Sequence, residues 1–171
     1  LGELVIGDYA HIRSGTVIYY GAHIGSHFKT GHNALVREKN VIGKHVSVGS
    51  HAELSVGNII GDYSSVHSQC FLERTAIGTY VFIGPRVAFL DDSTPVDPNP
   101  LDWRGAIVGD DVCIGGGSVI GPWVCVGSRC LIGMGSVVTK NIPSGEVWCG
   151  NPAHYLKKVD ELRYKDGTGP Y

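Results

Sequence analysis

Arg37, Ser55 and Glu73 recur at a spacing of 18 residues. A guanidinium, a hydroxyl and a carboxylate at one interval make one site if the fold itself repeats every 18 positions. The guanidinium suits bidentate contact with a phosphate. Glu38, its neighbour, and Glu73 offer it a salt bridge instead. Asp91 and Asp92 add two carboxylates at the head of a proline-rich stretch. A carboxylate with its ordinary pKa of about 4 orients a partner by hydrogen bond, and takes up a proton at neutral pH only where burial raises that value. His32 is a weaker candidate base.

The chain supplies the frame such residues need. An aliphatic residue returns every six positions: Ile6, Ile12, Ile18, Ile24, then Thr30, then Val36, Ile42, Val48, Leu54, Ile60, Val66 and Leu72. The series slips back by one residue and resumes at Ile77, Ile83 and Phe89. It restarts at Val108, Ile114, Ile120, Val126, Ile132 and Val138. Six is neither the helix period of 3.6 nor the strand period of 2. It is the period of a hexapeptide parallel β-helix, in which each short strand gives one inward side chain and then turns a corner. Three hexads make a triangular coil, so residues 18 apart stack. About seven coils at roughly 4.8 Å each give a prism roughly 34 Å long.

Glycine follows every inward residue of the first face, from Gly7 to Gly127, where positive φ would suit it. The third corner departs from this rule. It carries Arg37, Ser55 and Glu73 in register, and the long stretch from Leu90 to Ile107 leaves from it. Insertions of a repeat protein gather on one face, often the binding face. The predicted organisation is all-β: a left-handed β-helix over 1–142 with a loop insertion at 90–107, then a C-terminal turn, short helix and tail over 143–171. The helix is read from Asn151-Pro152 as cap and first helical position. Leu156, Val159 and Leu162 would share one side of it, and Lys157 and Lys158 the other. Such a helix would close the open end of the prism.

The 171 residues carry a net charge of −2 without a basic cluster in sequence, so a nucleic-acid partner is not expected. No apolar run is long enough for a membrane span, and no secretory signal is visible. The chain opens on Leu1, so its natural start is expected to be missing or processed. The five cysteines are odd in number; Cys113, Cys125 and Cys149 show no metal-ligand spacing, and free thiols in a reducing cytoplasm are expected. Cys70 and Cys130 read as packing residues. His27 and His45 fall in one column with Tyr9, Tyr63 and Tyr80, a ladder that suits a subunit interface better than a metal.

Val112-Cys113-Ile114-Gly115-Gly116-Gly117-Ser118-Val119-Ile120, Gly135 to Pro143 and Gly150-Asn151-Pro152-Ala153 resemble the closing coils of hexapeptide-repeat acyltransferases with a left-handed parallel β-helix. The resemblance implies a homotrimer that binds acetyl-coenzyme A between subunits. Gly115, Gly116, Gly117, Gly133, Gly135 and Ser136 would line the pantetheine arm, with Lys140, Lys157 or Lys158 at the phosphates. Phe89-Leu90-Asp91-Asp92 is similar to the Phe-x-Asn-Asp loop of nucleotide-linked amino-sugar N-acetyltransferases, and the segment Thr30 to Glu38 is common in that branch. Asp91, Asp92 and His32 are then the catalytic candidates. Asn33, Arg37, Glu38 and Glu73 are the candidates for binding a nucleotide-linked amino sugar. No histidine lies between His67 and His154, where the O-acetyltransferases of the superfamily carry a general base for a hydroxyl acceptor. A sugar O-acetyltransferase and a γ-carbonic-anhydrase-like zinc protein are the alternatives. For the latter, Gly31 to Val36 resembles the first-ligand segment, but the next ligand position holds Arg37, a cation. No metal is expected.

Overall fold

The computed structural model describes residues 2–92 and 104–163. Most of the insertion, including Pro95, Pro98 and Pro100, and the tail from Tyr164 lie outside them. The sixfold period is realised as a parallel β-solenoid of about seven turns. Twenty strands of two residues each, among the described residues, build three sheets. Strand Val5–Ile6 pairs with His23–Ile24, which pairs with Val41–Ile42 and then Ile59–Ile60, a constant step of 18. The step to Ala76–Ile77 is 17, and Ile77 pairs with Val108 across the insertion.

The inward column is the core. Leu54, Leu72, Phe89, Ile114 and Ile120 are fully buried. At the first described coil Ile6 and Ile12 are 37% and 46% exposed, because no other described coil lies beneath them. Thr30, the single polar member of the series, is explained by that end. Its Oγ1 accepts the Arg13 amide at 2.9 Å and lies 2.9 Å from Thr16 Oγ1, so it ties the loosely strung first coil to the second.

The glycines of the first corner do not have positive φ. That conformation falls two residues later, on Tyr9, His27, His45, Tyr63 and Tyr80, at φ between 56° and 61°. Glycine is needed at the corner for close approach instead: a Cβ on Gly25 would lie 2.7 Å from the Gly43 carbonyl carbon of the next coil. The five turn residues form a ring ladder, with centroid spacings of 4.9, 4.4, 4.7 and 5.0 Å and planes within 17° of parallel.

The C-terminal helix is corrected. Ala153–Lys158 is a strand, antiparallel to Glu146–Gly150, which itself pairs in parallel with Leu131–Ile132. Asn151-Pro152 is the cis-peptide turn between the two strands and not a helix cap. Among the described residues of this segment only Val159–Glu161 winds, as one 3₁₀ turn. The spacing of Leu156, Val159 and Leu162 was a weak helical signal, and the outer edge of Glu146–Gly150 offered backbone pairing that overrode it. Among the described residues no helix is long and apolar enough to cross a membrane.

Candidate functional site

The third corner is held from inside by a polar ladder. Asn40, Asn58 and Thr75 are buried, one above another, beneath the corner that carries Arg37, Ser55 and Glu73. Asn40 Nδ2 donates to the carbonyls of Arg37 and Ser55, each at 2.8 Å. Asn58 Nδ2 donates to Asn40 Oδ1 and the Ser55 carbonyl at 2.9 and 2.8 Å, and its Oδ1 accepts the amide and hydroxyl of Thr75 at 3.0 and 2.9 Å. Carbonyls that a glycine corner would turn to its neighbours are thus satisfied by side chains, and the outer positions are released for function.

The one-residue slip falls between Leu72 and Ile77 and tightens the chain at Glu73-Arg74, where Arg74 has φ 45°. Here the charges gather. Asp91 is 3% exposed and forms an ion pair with Arg74. Glu73 is hydrogen-bonded to Asp91. Burial, then the Asp91 charge and that hydrogen bond, with a smaller push from Glu53, raise the Glu73 carboxyl to about 7, against the pull of Arg74. Burial and the neighbouring carboxylates outweigh Arg74, so Glu73 keeps a proton until the neutral range. The insertion starts and ends on this cluster. The Arg104 amide donates to the Asp91 carbonyl at 2.9 Å, and a Cβ on Gly105 would meet the Glu73 carbonyl at 2.2 Å.

Beside the cluster runs an apolar groove of about 440 Å³, walled by Val119, Pro122, Val137 and Val138 with Asp92 at its edge. Such a groove suits a thin aliphatic chain; Asp92 is the carboxylate that lines it, and Asp91 of the cluster is its neighbour in sequence.

The other sequence-predicted residues are placed as follows. Arg37 is bound to Glu38, NH2 to Oε1 at 2.8 Å, two coils below Glu73. His32 and Asn33 are exposed on the second corner, where His32 Nδ1 lies 2.9 Å from Ser14 Oγ. Within one chain they do not meet Asp91 or Asp92. Gly115, Gly116, Gly117, Gly133 and Gly135 also lie on the second corner. Gly115 is needed for coil stacking, since its Cβ would meet the Met134 amide at 2.4 Å. Gly117 and Gly135 have positive φ and open space around them. Ser136 is buried, with its hydroxyl given to the Gly133 carbonyl and accepting the Gly150 amide, so its side chain serves the coil. Lys140 is exposed and Lys157 half-buried. Among the described residues no group of three or more His, Cys, Asp or Glu is placed to hold a metal ion within one chain.

Residues 105–140 match the family described as bacterial transferase hexapeptide (six repeats). That stretch, and not the whole chain, carries the repeats of this description. A provisionally named acetyltransferase of Saccharomyces cerevisiae is 36% identical over 100 residues, 56% of this chain and 50% of its own. The galactoside O-acetyltransferase of Lactococcus lactis subsp. lactis is 34% identical over 95 residues, 52% of this chain and 45% of its own. The chain therefore spans about half the length of these relatives. A hexapeptide-repeat acetyltransferase of Vibrio cholerae, solved with acetyl coenzyme A, superposes with a TM-score of 0.52 at 25% identity, over 64% of this chain and 69% of that one.

Sequence reasoning missed Arg74, Glu53 and the inner ladder. The slip at Glu73-Arg74 was the signal for the first. Asn40 and Asn58, 18 apart in a column that elsewhere holds Ala22, Ala106, Val124 and Ile142, were the signal for the last.

Proposed function

We propose that the protein is an acetyl-coenzyme A-dependent transferase that acetylates the amino group of a sugar, and that the sugar is nucleotide-linked. The observation that carries this reading is the Glu73–Arg74–Asp91 cluster at the side of an apolar groove, on coils of the transferase hexapeptide type. Asp92 and the open groove suit the reacting ends of donor and acceptor. The acceptor amine attacks the thioester carbonyl, a C–N bond forms and the C–S bond breaks. Glu73 takes the proton from the amine and returns one to the departing thiolate, so the carboxyl ends as it began. Asp91, committed to Arg74, holds Glu73 and tunes it rather than touching the acceptor. An amine needs only this modest help; a hydroxyl needs a stronger base.

The open corner at Gly117 and Gly135 and the Glu73 cluster sit on different corners of one chain. They form one site only across a subunit boundary, which supports a homotrimer with the ring ladder buried between chains. Mixing two inactive variants, Glu73→Gln and Gly135→Trp, and letting the subunits exchange is expected to restore part of the activity. A stable, fully active monomer by light scattering, or no recovery in verified mixed trimers, would sink the shared site.

The Lactococcus relative favours a second reading, acetylation of a sugar hydroxyl. Turnover of acetyl-coenzyme A with a panel of nucleotide-linked amino sugars and their hydroxyl counterparts separates the two. Preference for the amine by at least tenfold in kcat/KM is expected; equal or reversed preference would replace the first reading by the second. Chelation is expected to leave this turnover unchanged, and its loss on chelation would point to the zinc alternative.

A further inference from the structure

On the second sheet, far below the hexapeptide coils of residues 105–140, the fold assembles a basic trough from residues scattered in sequence. The trough has a volume of about 350 Å³, and its walls include His11, Arg13, Lys29, Ser47, His67 and Ser68. His11, Lys29 and Ser47 point outward from three successive coils, in direct parallel register. Arg13 and His67 belong to the adjoining corner column, three coil steps apart, roughly 14 Å along the axis at about 4.8 Å a step. The two positions between them are Gly31 and Gly49. Both are glycine for coil stacking, since a Cβ would lie 2.3 Å from the amides of Ser50 and Ser68. Their bare outer sides leave a floor without side chains between a guanidinium and an imidazole.

The charge on this trough is uncompensated. No Asp or Glu lines it among the described residues. The ion pairs of the described residues use Arg37, Arg74, Arg129 and Lys158; neither Arg13 nor Lys29 takes part in one. On a protein of net charge −2 this is a local reversal of sign. Exposed basic residues are ordinarily scattered among acids. Here two permanent cations, two imidazoles and two hydroxyls converge on an open floor of a size that fits two linked phosphate groups. Guanidinium and ammonium groups bind phosphate oxygens through charge-assisted hydrogen bonds, and serine hydroxyls add neutral donors.

We propose that this trough is a diphosphate-binding site, and that it holds the diphosphate of the nucleotide-linked acceptor. The second half rests on the activity proposed above; the first does not. The phosphates of coenzyme A share the same chemistry, and the experiment distinguishes the two sources.

Isothermal titration calorimetry on the full chain, with inorganic pyrophosphate, uridine diphosphate and acetyl-coenzyme A as separate titrants, tests it. Pyrophosphate and uridine diphosphate are expected to compete for one site per chain. Arg13→Ala and Lys29→Ala are each expected to weaken both by tenfold or more, and to leave acetyl-coenzyme A unchanged. Both side chains are exposed, and thermal midpoints matching the parent protein certify the fold of each variant. Should Arg13→Ala lower the midpoint, Lys29→Ala decides alone, because its side chain takes no part in the first coil. Absence of pyrophosphate binding at millimolar concentration, or affinity indifferent to both substitutions, overturns the site. Acetyl-coenzyme A displacing pyrophosphate, and itself weakened by Lys29→Ala, overturns the assignment to the acceptor and gives the trough to the donor. Two outcomes separate this proposal from the activity. Pyrophosphate binding lost in Arg13→Ala, in a protein that turns over no amino sugar, supports the site and removes the acceptor. An unchanged acceptor KM in Arg13→Ala, in a protein that acetylates amino sugars, removes the acceptor role of the trough and leaves the activity standing.

Discussion

Glu73→Gln is expected to lower acetyl-transfer turnover by about 10²-fold at neutral pH, the lower end of what a positioned general base contributes. The parent protein should show a rate that rises with pH through about 7, as Glu73 loses the proton that burial and Asp91 hold on it. The acceptor amine adds its own rising limb as it deprotonates, so a single limb proves nothing. The test is the difference: the limb near 7 should vanish in Glu73→Gln while the limb of the amine stays. Asp91→Asn supplies the complementary result. Removing its negative charge takes away one of the upward pushes on Glu73 while the pull of Arg74 remains, so the limb should move to lower pH with turnover largely kept above it. Near-parental turnover and an unshifted limb in Glu73→Gln would remove this carboxyl from the chemistry.

The same carboxyl couples stability to pH, with a definite sign. Its folded value, about 7, lies above its ordinary 4.5, so between these the folded chain holds a proton that the unfolded chain has released. Stability from this group is full below 4.5 and is lost as pH rises through 7. The parent protein should therefore be less stable at pH 8 than Glu73→Gln relative to their difference at pH 4.5. The gap is modest because Glu73 is only partly buried and water screens its neighbours.

The interior of this molecule was legible because its rule is one-dimensional. One aliphatic side chain per six residues places Ile24, Ile42 and Ile60 on one line without knowledge of anything else in the chain. Even Thr30 and the slip after Leu72 stood out against that rule. What the rule does not carry is chemistry between columns. Asp91 looked like a loop carboxylate open to substrate, yet the shortened coil brings Arg74 under it and buries both it and part of Glu73. His11, Arg13, Lys29 and His67 look dispersed over 57 positions, and become neighbours only when the coils stack. The C-terminal segment failed for another reason. Its local spacing favoured helix weakly, and the deciding influence was the outer strand edge of Glu146–Gly150, which no local pattern announces.

The inner ladder makes the strongest demand on stability. Asn58→Leu is expected to destabilise the fold by about 3 kcal/mol, from several buried groups left without partners at roughly 1 kcal/mol or more each. Asn58 serves Asn40 below it, the Ser55 and Leu72 carbonyls beside it and Thr75 above it, and it is fully buried, so water cannot take its place. For a chain of 171 residues that corresponds to a fall in thermal midpoint of roughly 6–12 °C. Thr75→Val removes one hydroxyl at the end of the ladder and should cost about 1 kcal/mol. Leucine is nearly isosteric with asparagine and more apolar, so simple burial of apolar surface would leave stability unchanged or raise it. A midpoint within 2 °C of the parent would therefore show that the ladder contributes little. A large fall would establish that the third corner is held from within, because the carbonyls of Ser55 and Leu72 that Asn58 ties down are the peptide units that carry Ser55 and Glu73 outward.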